Sequence, residues 1–327
     1  MINVVVLGFD QALASAITGV VDLFAMAGVT WNRIQGEPTQ PVFKTLIATH
    51  NGQNIECING LKLAAHLSFD EIQHADVVIV PTIGGPIQQV LAHNPELIAL
   101  LQRVHQQGLT IAGNCTGNFL LAQAGILDGK VATTHWGFKD DFEKRYPQVK
   151  LKAEQMITRD ENIYCAGGGL AWFDLGLHII ERSVGFDSAI QTAKAFVLDY
   201  RRDSQLSYSI MRLAKPHKDE LVSQAQAHLE KHYAQPFSVE RLAETFSISK
   251  RTLIRRFNNA LSIPPNSYLQ SIRIERAQKM LEESQYNVEQ VMTLVGYEDA
   301  SSFRRLFRKM TGLTPTEYRS RFSRRLQ

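Results

Sequence analysis

The chain has 327 residues, 44% of them hydrophobic and 20% charged, an ordinary globular composition long enough for about two domains. No apolar run approaches the roughly 20 residues of a membrane span, and three cysteines without ligand spacing argue against a disulfide framework and against a metal site. The net charge of +3 is unevenly spread: residues 217–327 carry 18 Lys and Arg against 12 Asp and Glu, and the rest carry 17 against 20, so the last third is the candidate for a polyanionic partner. A reducing, cytoplasmic setting is expected, with no leader at Met1–Leu7 and no cofactor.

In chain order, Val4-Val5-Val6-Leu7 and Val77-Val78-Ile79-Val80 are apolar runs of the kind buried on both faces in a parallel sheet, and Leu109-Thr110-Ile111-Ala112 resembles a third. Helical patterns lie between them, over Ala16 to Met26, Pro86 to His93 and Glu96 to Gln107. The pattern predicts an α/β domain over 1–202, an open, mostly parallel sheet with helices on both faces. Ligands of such sheets sit at the carboxyl ends of the strands, where Gly84-Gly85 and Asn114-Cys115 fall.

Gly113-Asn114-Cys115-Thr116-Gly117 follows a strand and opens an apolar helix, as a nucleophile elbow does. A thiol there would have its thiolate stabilised by the helix dipole and free amides, and Gly84 and Gly85 would offer further N–H groups to an oxyanion. Trp136 and Trp172 would line an aromatic pocket or pack in the core, and His135 would face the pocket or pack on its own backbone. Gly167-Gly168-Gly169 reads as a turn near the pocket, and Asp174 and His178 as an i, i+4 pair.

The stretches Gly19 to Asp22, Val80 to Gly85, Ala112 to Gly117 and Thr133 to Trp136 resemble the DJ-1/PfpI, or class I glutamine amidotransferase-like, superfamily. That resemblance implies a carboxylate, Asp22, meeting Cys115. The superfamily's proteases place histidine after the cysteine. Here Thr116 stands instead, and the set Asp22, Cys115 and Thr116 is closer to the isocyanide hydratase branch.

A polar stretch over 203–216, ending at Pro216, is the expected linker. Beyond it one unit occurs twice: Val239-Glu240-Arg241-Leu242 aligns with Val288-Glu289-Gln290-Val291, and Leu253, Arg255, Phe257, Pro265 and Tyr268 align with Phe303, Arg305, Phe307, Pro315 and Tyr318. Each copy reads as helix, turn, helix. Ser238, Ser249 and Asp299 are the expected caps, and Leu253, Phe257, Phe303 and Phe307 face inward. Between the copies Pro265 to Glu283 reads as one helix of roughly 28 Å, near the ~34 Å turn of B-DNA. An all-α domain with two helix-turn-helix motifs is thus expected over 217–327.

Residues 217–327 resemble the AraC/XylS DNA-binding domain, through Gly296-Tyr297-Glu298-Asp299-Ala300-Ser301-Ser302-Phe303-Arg304-Arg305 and on to Thr314-Pro315 and Tyr318. The resemblance implies base reading from Arg251, Ile254 and Arg255 in the first recognition helix and from Ser301, Ser302 and Arg305 in the second. Lys250, Thr252 and Arg304 flank them, and Arg273, Arg276 and Lys279 are the expected phosphate contacts. The two domains together resemble the GlxA-type regulators. That implies a homodimer that works with RNA polymerase as an activator, whose effector is an amino acid or quaternary-ammonium metabolite held by Asp22, Gly84, Gly85, Cys115, Thr116, His135, Trp136 and Trp172. A cysteine hydrolase or hydratase, and a ligand-free dimerisation scaffold, stand as the alternatives for the first domain.

Overall fold

A computed structural model describes residues 1–200, 202–209 and 217–324. Residues 210–216 of the expected linker, Pro216 among them, lie outside the described residues. The chain divides into two compact units, Met1–Gln205 and Leu206–Gln327.

The first unit opens with β1 (Ile2–Leu7), α1 (Ala14–Met26), α2 (Thr30–Gln35) and β2 (Phe43–Thr49). Short strands β3 (Ile55–Glu56), β4 (Lys62–Leu63) and β5 (Leu67–Ser68) lead to β6 (Val77–Val80). Helices α3 (Ile87–His93) and α4 (Pro95–Gln106) precede β7 (Thr110–Asn114), and α5 (Asn118–Gln123) follows it. After β8 (Val131–Ala132), α6 (Lys139–Arg145) and β9 (Lys150–Leu151) come the hairpin strands β10 (Ile157–Asp160) and β11 (Ile163–Ala166). Helices α7 (Trp172–Val184) and α8 (Phe186–Ala195) complete the unit.

Seven strands form one sheet in the order β10-β11-β7-β6-β1-β2-β5. All its pairs are parallel except the β10–β11 hairpin, with Val4 opposite Val77 and Val80 opposite Gly113. Every residue of β6 and of β11 is buried, which requires cover on both faces of the sheet. Two helix groups supply it: α1 packs with α7 and α7 with α8, while α5 packs with α3 and α4. The open sheet therefore agrees with the sequence pattern, and β7 runs two residues past the expected strand, into Gly113 and Asn114. That extension delivers the next residue, Cys115, to the carboxyl edge of the sheet.

The second unit is helical: α9 (Glu220–Lys231), α10 (Val239–Thr245), α11 (Lys250–Leu261), α12 (Pro265–Glu283), α13 (Val288–Leu294), α14 (Ala300–Thr311) and α15 (Pro315–Phe322). It has two small cores. Leu242, Leu253, Phe257, Tyr268 and Ile272 belong to one, and Ile274, Val291, Phe303, Phe307 and Tyr318 to the other. Helix α12 serves both, because Ile272 and Ile274 are two residues apart and so point roughly 200° apart around its axis.

The repeat recurs in three dimensions. Phe257 meets Tyr268 edge-on at 6.0 Å and Phe307 meets Tyr318 at 5.5 Å. Each tyrosine donates its hydroxyl to a carboxylate, Glu230 at 2.7 Å and Glu282 at 2.6 Å. Ser238, Ser249 and Asp299 cap α10, α11 and α14 by accepting the N–H of Arg241, Thr252 and Ser302. Each such cap contributes about 1 kcal/mol.

Candidate nucleic-acid interface and effector cavity

Helix α11 carries Arg251 and Arg255 one turn apart on its exposed side, and α14 carries Ser301 and Arg305 at the equivalent repeat positions. Residues four apart share a helix face, so each pair forms one edge. Leu253 and Phe257, and likewise Phe303 and Phe307, are fully buried on the opposite side and fix which edge is presented. Among the described residues Arg251 and Arg255 carry no ion pair. Lys250 pairs with Glu240, and Arg304 pairs with Glu289 at 2.8 Å. Both are exposed pairs of the weak kind that a phosphate can displace. Thr252, Ile254 and Ser302 are half-buried at the rim, and the Thr252 and Ser302 amides are taken by the caps. Ile254 packs against its own core, leaving part of its side chain for an apolar contact.

The three expected phosphate contacts separate. Arg276 and Lys279 are exposed. Arg273 is not available in the same way: its Nε donates to the Tyr233 carbonyl at 2.7 Å, its Nη2 to the Gln235 carbonyl at 2.8 Å, and its guanidinium lies 5.2 Å from the Tyr297 ring. It braces α12 against both halves of the unit. The sequence could not separate it from Arg276, because both follow the same polar stripe of α12.

In the first unit Cys115 has φ 57°, the left-handed geometry of an elbow, in a single 3-10 turn between β7 and α5. Holding a non-glycine residue there takes of the order of 1–3 kcal/mol, which the surrounding packing must supply. Gly117 makes the turn feasible, since a Cβ on it would lie 2.3 Å from the Pro81 carbonyl oxygen. A cavity of about 530 Å³ opens beside the elbow, lined by Gly84, Gly85, Cys115, Thr116, Phe138 and the Asp141–Arg145 pair. Thr82, Gln88 and Gln89 add polar groups.

Several expectations for this site are corrected. Asp22 is exposed and does not line the cavity: it follows buried Val20 by two residues, roughly 200° around α1, so its carboxylate points away from the core. The Gly84 and Gly85 amides both donate to the Gln11 carbonyl, at 2.8 and 3.0 Å, so they line the cavity without aiming N–H groups into it. Burial pushes the Cys115 thiol up to about 11, outweighing the lowering by hydrogen bonds from Thr116 and Thr82. The thiolate expected from the helix dipole is thus disfavoured by desolvation. The Thr116 hydroxyl donates to the Ile83 carbonyl at 2.8 Å.

The remaining aromatic candidates do not line this cavity. His135 caps its own turn, its Nδ1 accepting the Gly137 N–H at 3.0 Å, and burial lowers its pKa. Trp136 stacks obliquely on His135. Trp172 is buried, and a Cβ on Gly19 would come within 1.9 Å of its ring, so it packs against α1. Phe138, Asp141 and Arg145 were not singled out in the sequence. The only hint was the i, i+4 spacing of the last two, common on any exposed helix. Asp174 takes the guanidinium of Arg202 in an ion pair.

A family model described as "DJ-1/PfpI family" matches residues 4–182, and one described as "Helix-turn-helix domain" matches residues 242–321. The chain is similar to the HTH-type transcriptional regulator CdhR of Pseudomonas aeruginosa, 27% identical over 281 residues, which cover 85% of this chain and 82% of that one. It is also similar to the isonitrile hydratase of Pseudomonas putida, 30% identical over 131 residues, 40% of this chain and 55% of the hydratase. The crystal structure of Drosophila melanogaster DJ-1beta matches with a TM-score of 0.51 at 19% identity, over 61% of this chain and 99% of that one. At that identity the likeness speaks for the fold.

Proposed function

We propose, from the premise that the chain belongs to the DJ-1/PfpI family and continues into an AraC-type helix-turn-helix domain, that it is a sequence-specific DNA-binding transcription regulator governed by a small molecule. The observation that carries this reading is the doubled edge of α11 and α14, two capped helices of one repeat presenting arginines at equivalent positions. Arg251, Ile254 and Arg255 read one major groove and Ser301, Ser302 and Arg305 the next. Arginine suits this role because it can bond bidentately to a guanine edge. Lys250, Thr252, Arg304, Arg276 and Lys279 hold the backbone. Residues 1–205 sense and dimerise and 217–327 bind DNA; the expected linker over 203–216 is shortened at its start, because residues 203–205 are held in the first unit. The dimer activates transcription with RNA polymerase in the cytoplasm.

The effector occupies the cavity beside Cys115. An amino-acid or quaternary-ammonium metabolite suits it, with its cation over Phe138 and a carboxylate near Arg145, a choice that rests on family analogy. Sensing is favoured over turnover by a thiol that stays protonated at neutral pH and by glycine amides engaged elsewhere. The likeness to an isonitrile hydratase makes hydration the rival. Turnover of an isonitrile by the purified chain, lost in Cys115→Ala, would establish that rival.

The regulator reading is tested by mapping bound DNA across the genome of the source cell for the wild type and for Arg255→Ala/Arg305→Ala. Discrete sites that disappear in the variant are expected. Each single arginine loss should weaken specific binding by ~1–3 kcal/mol and relax base preference. No discrete sites from a folded wild type would defeat the reading.

A further inference from the structure

The triple glycine Gly167-Gly168-Gly169 has no part in the cavity, yet Gly167 has a specific neighbour. A Cβ there would lie 1.8 Å from the Gln205 amide nitrogen. Gln205 is 1% exposed, the last residue of the first unit, and its side chain fills the slot that Gly167 leaves. Its Nε2, with two N–H groups to donate, lies 2.9 Å from the carbonyl oxygen of Thr134 and 3.0 Å from those of Ala153 and Gln155, and its Oε1 accepts the Trp136 N–H at 3.3 Å. The backbone on either side is tied down too. The Gln205 N–H donates to the Glu154 carbonyl at 2.9 Å, the Met156 N–H donates to the Asp203 carbonyl at 3.2 Å, and Arg202 pairs with buried Asp174. Residues 202–205 thus form a strap plugged into the unit by one buried amide.

The plug connects at both ends to the elements that regulation must join. Thr134, whose carbonyl it takes, donates its own hydroxyl to the carbonyl of Cys115 at 2.9 Å. Cys115 is the elbow residue in left-handed geometry, so a shift there reaches Gln205 through two hydrogen bonds. In the other direction Gln205 is peptide-bonded to Leu206, and Leu206–Tyr208 forms a turn within the second unit that packs against α14. Tyr208 also meets Phe322 of α15 edge-on at 5.6 Å.

We propose that Gln205 is a positioning residue, the plug through which the state of the Cys115 elbow reaches recognition helix α14. This rests on the reading of the Cys115 cavity as the effector site. A buried amide with several acceptors suits a two-position switch. Seated, it is fully hydrogen-bonded; withdrawn, it takes away the donor of the Ala153 carbonyl and leaves those of Thr134 and Gln155 to the Thr133 hydroxyl, so intermediate positions are disfavoured.

The test uses the full chain and a duplex enriched from a random pool by the wild type, with no ligand present. Gln205→Ala removes the plug, Gly167→Ala evicts it, and Thr134→Val cuts its link to the elbow while leaving the strap intact. Each should change the duplex Kd by about fivefold or more, the lower end of ordinary coupling between sites. Hydroxyl-radical footprints should change over the half-site held by α14 and not over that held by α11, a difference that general destabilisation would not produce. Thr134→Val should add nothing in the Gln205→Ala background, and Gly167→Ala/Gln205→Ala, where the added methyl has room, should behave as Gln205→Ala does. Affinities within twofold of the wild type and unchanged footprints, with faster amide exchange at Met156 and Gln205, would assign Gln205 a purely local packing role. Effects of Thr134→Val and Gln205→Ala that simply multiply would also overturn the proposal. If Gln205→Ala does not fold, Gly167→Ala and Thr134→Val carry the same comparison. Melting shifts of the wild type with a panel of amino acids and betaines test the cavity reading separately, so the two can fail independently.

Discussion

Replacing Arg273 by alanine distinguishes a brace from a phosphate contact. The side chain makes two charge-assisted hydrogen bonds, to the carbonyls of Tyr233 and Gln235, and stacks on Tyr297. Such hydrogen bonds contribute about 1.5–3 kcal/mol each, and partial exposure places these two at the lower end. With about 0.5–1 kcal/mol for the cation–π contact, the loss comes to about 3.5–4 kcal/mol. For a unit near 100 residues each kcal/mol lowers the melting temperature by at least about 4 °C, so the second unit should melt at least about 14 °C lower. Calorimetry of the full chain reads this directly. DNA binding by the folded protein, measured well below the melt, should keep the salt dependence of the wild type. Arg276→Ala, which gives up the contact of its guanidinium with the Tyr233 ring at 5.7 Å, should instead lower melting by only about 2–4 °C and flatten the slope of log K against log salt by about 0.9. A reversed pattern, with Arg273→Ala stable but flattening the slope, would refute the bracing argument.

Three further outcomes follow from the same geometry. With its thiol pushed up to about 11, Cys115 at pH 8 is thiolate in roughly one molecule per thousand, against roughly a quarter for an unperturbed thiol. Iodoacetamide labelling read by mass spectrometry should be slow and climb about tenfold per pH unit, and a plateau below pH 9 would contradict the desolvation argument. Gly117→Ala should destabilise the first unit by at least about 1–3 kcal/mol in urea unfolding, since the nearest atoms to a new Cβ are the backbone oxygens of Pro81 and Val80. The Arg256 guanidinium holds the Asp219 carboxyl below its ordinary range, so the ion pair stabilises fully above the unfolded carboxylate value of about 3.9 and is lost as pH falls through the lower folded value. The melting gap between wild type and Asp219→Asn should therefore be flat at neutral pH and narrow in acid. A gap that widens on acidification would reverse the assignment.

Much of the architecture was legible where the pattern was strong. Val77–Val80 was read to the residue, because a run buried on both faces needs no alternation to interpret. The span Pro265–Glu283 was read to the residue as well, since Pro265 marks its first turn and its apolar positions keep helical spacing to Leu281. Strand β2 was missed: Phe43–Thr49 mixes Lys44 and Thr45 with apolar residues and takes its place by pairing with β1 and β5. Helix starts differ by one or two residues, as at Ala14, where no side-chain cap marks the first turn.

The sequence by itself determined the pieces that depend on neighbours in the chain: the repeat, the caps at Ser238, Ser249 and Asp299, the elbow at Cys115, and the arginines one turn apart on α11. Only the tertiary structure decided what those groups face. It turned Asp22 to solvent, occupied the Gly84 and Gly85 amides with the Gln11 carbonyl, kept the thiol protonated, and made Arg273 a brace while leaving Arg276 exposed. It also brought Gln205 against Gly167, 38 positions earlier in the sequence. The physical reason is common to all of these. Local spacing fixes which side of an element a residue occupies, whereas desolvation and hydrogen-bond partnership depend on which distant segment arrives on that side.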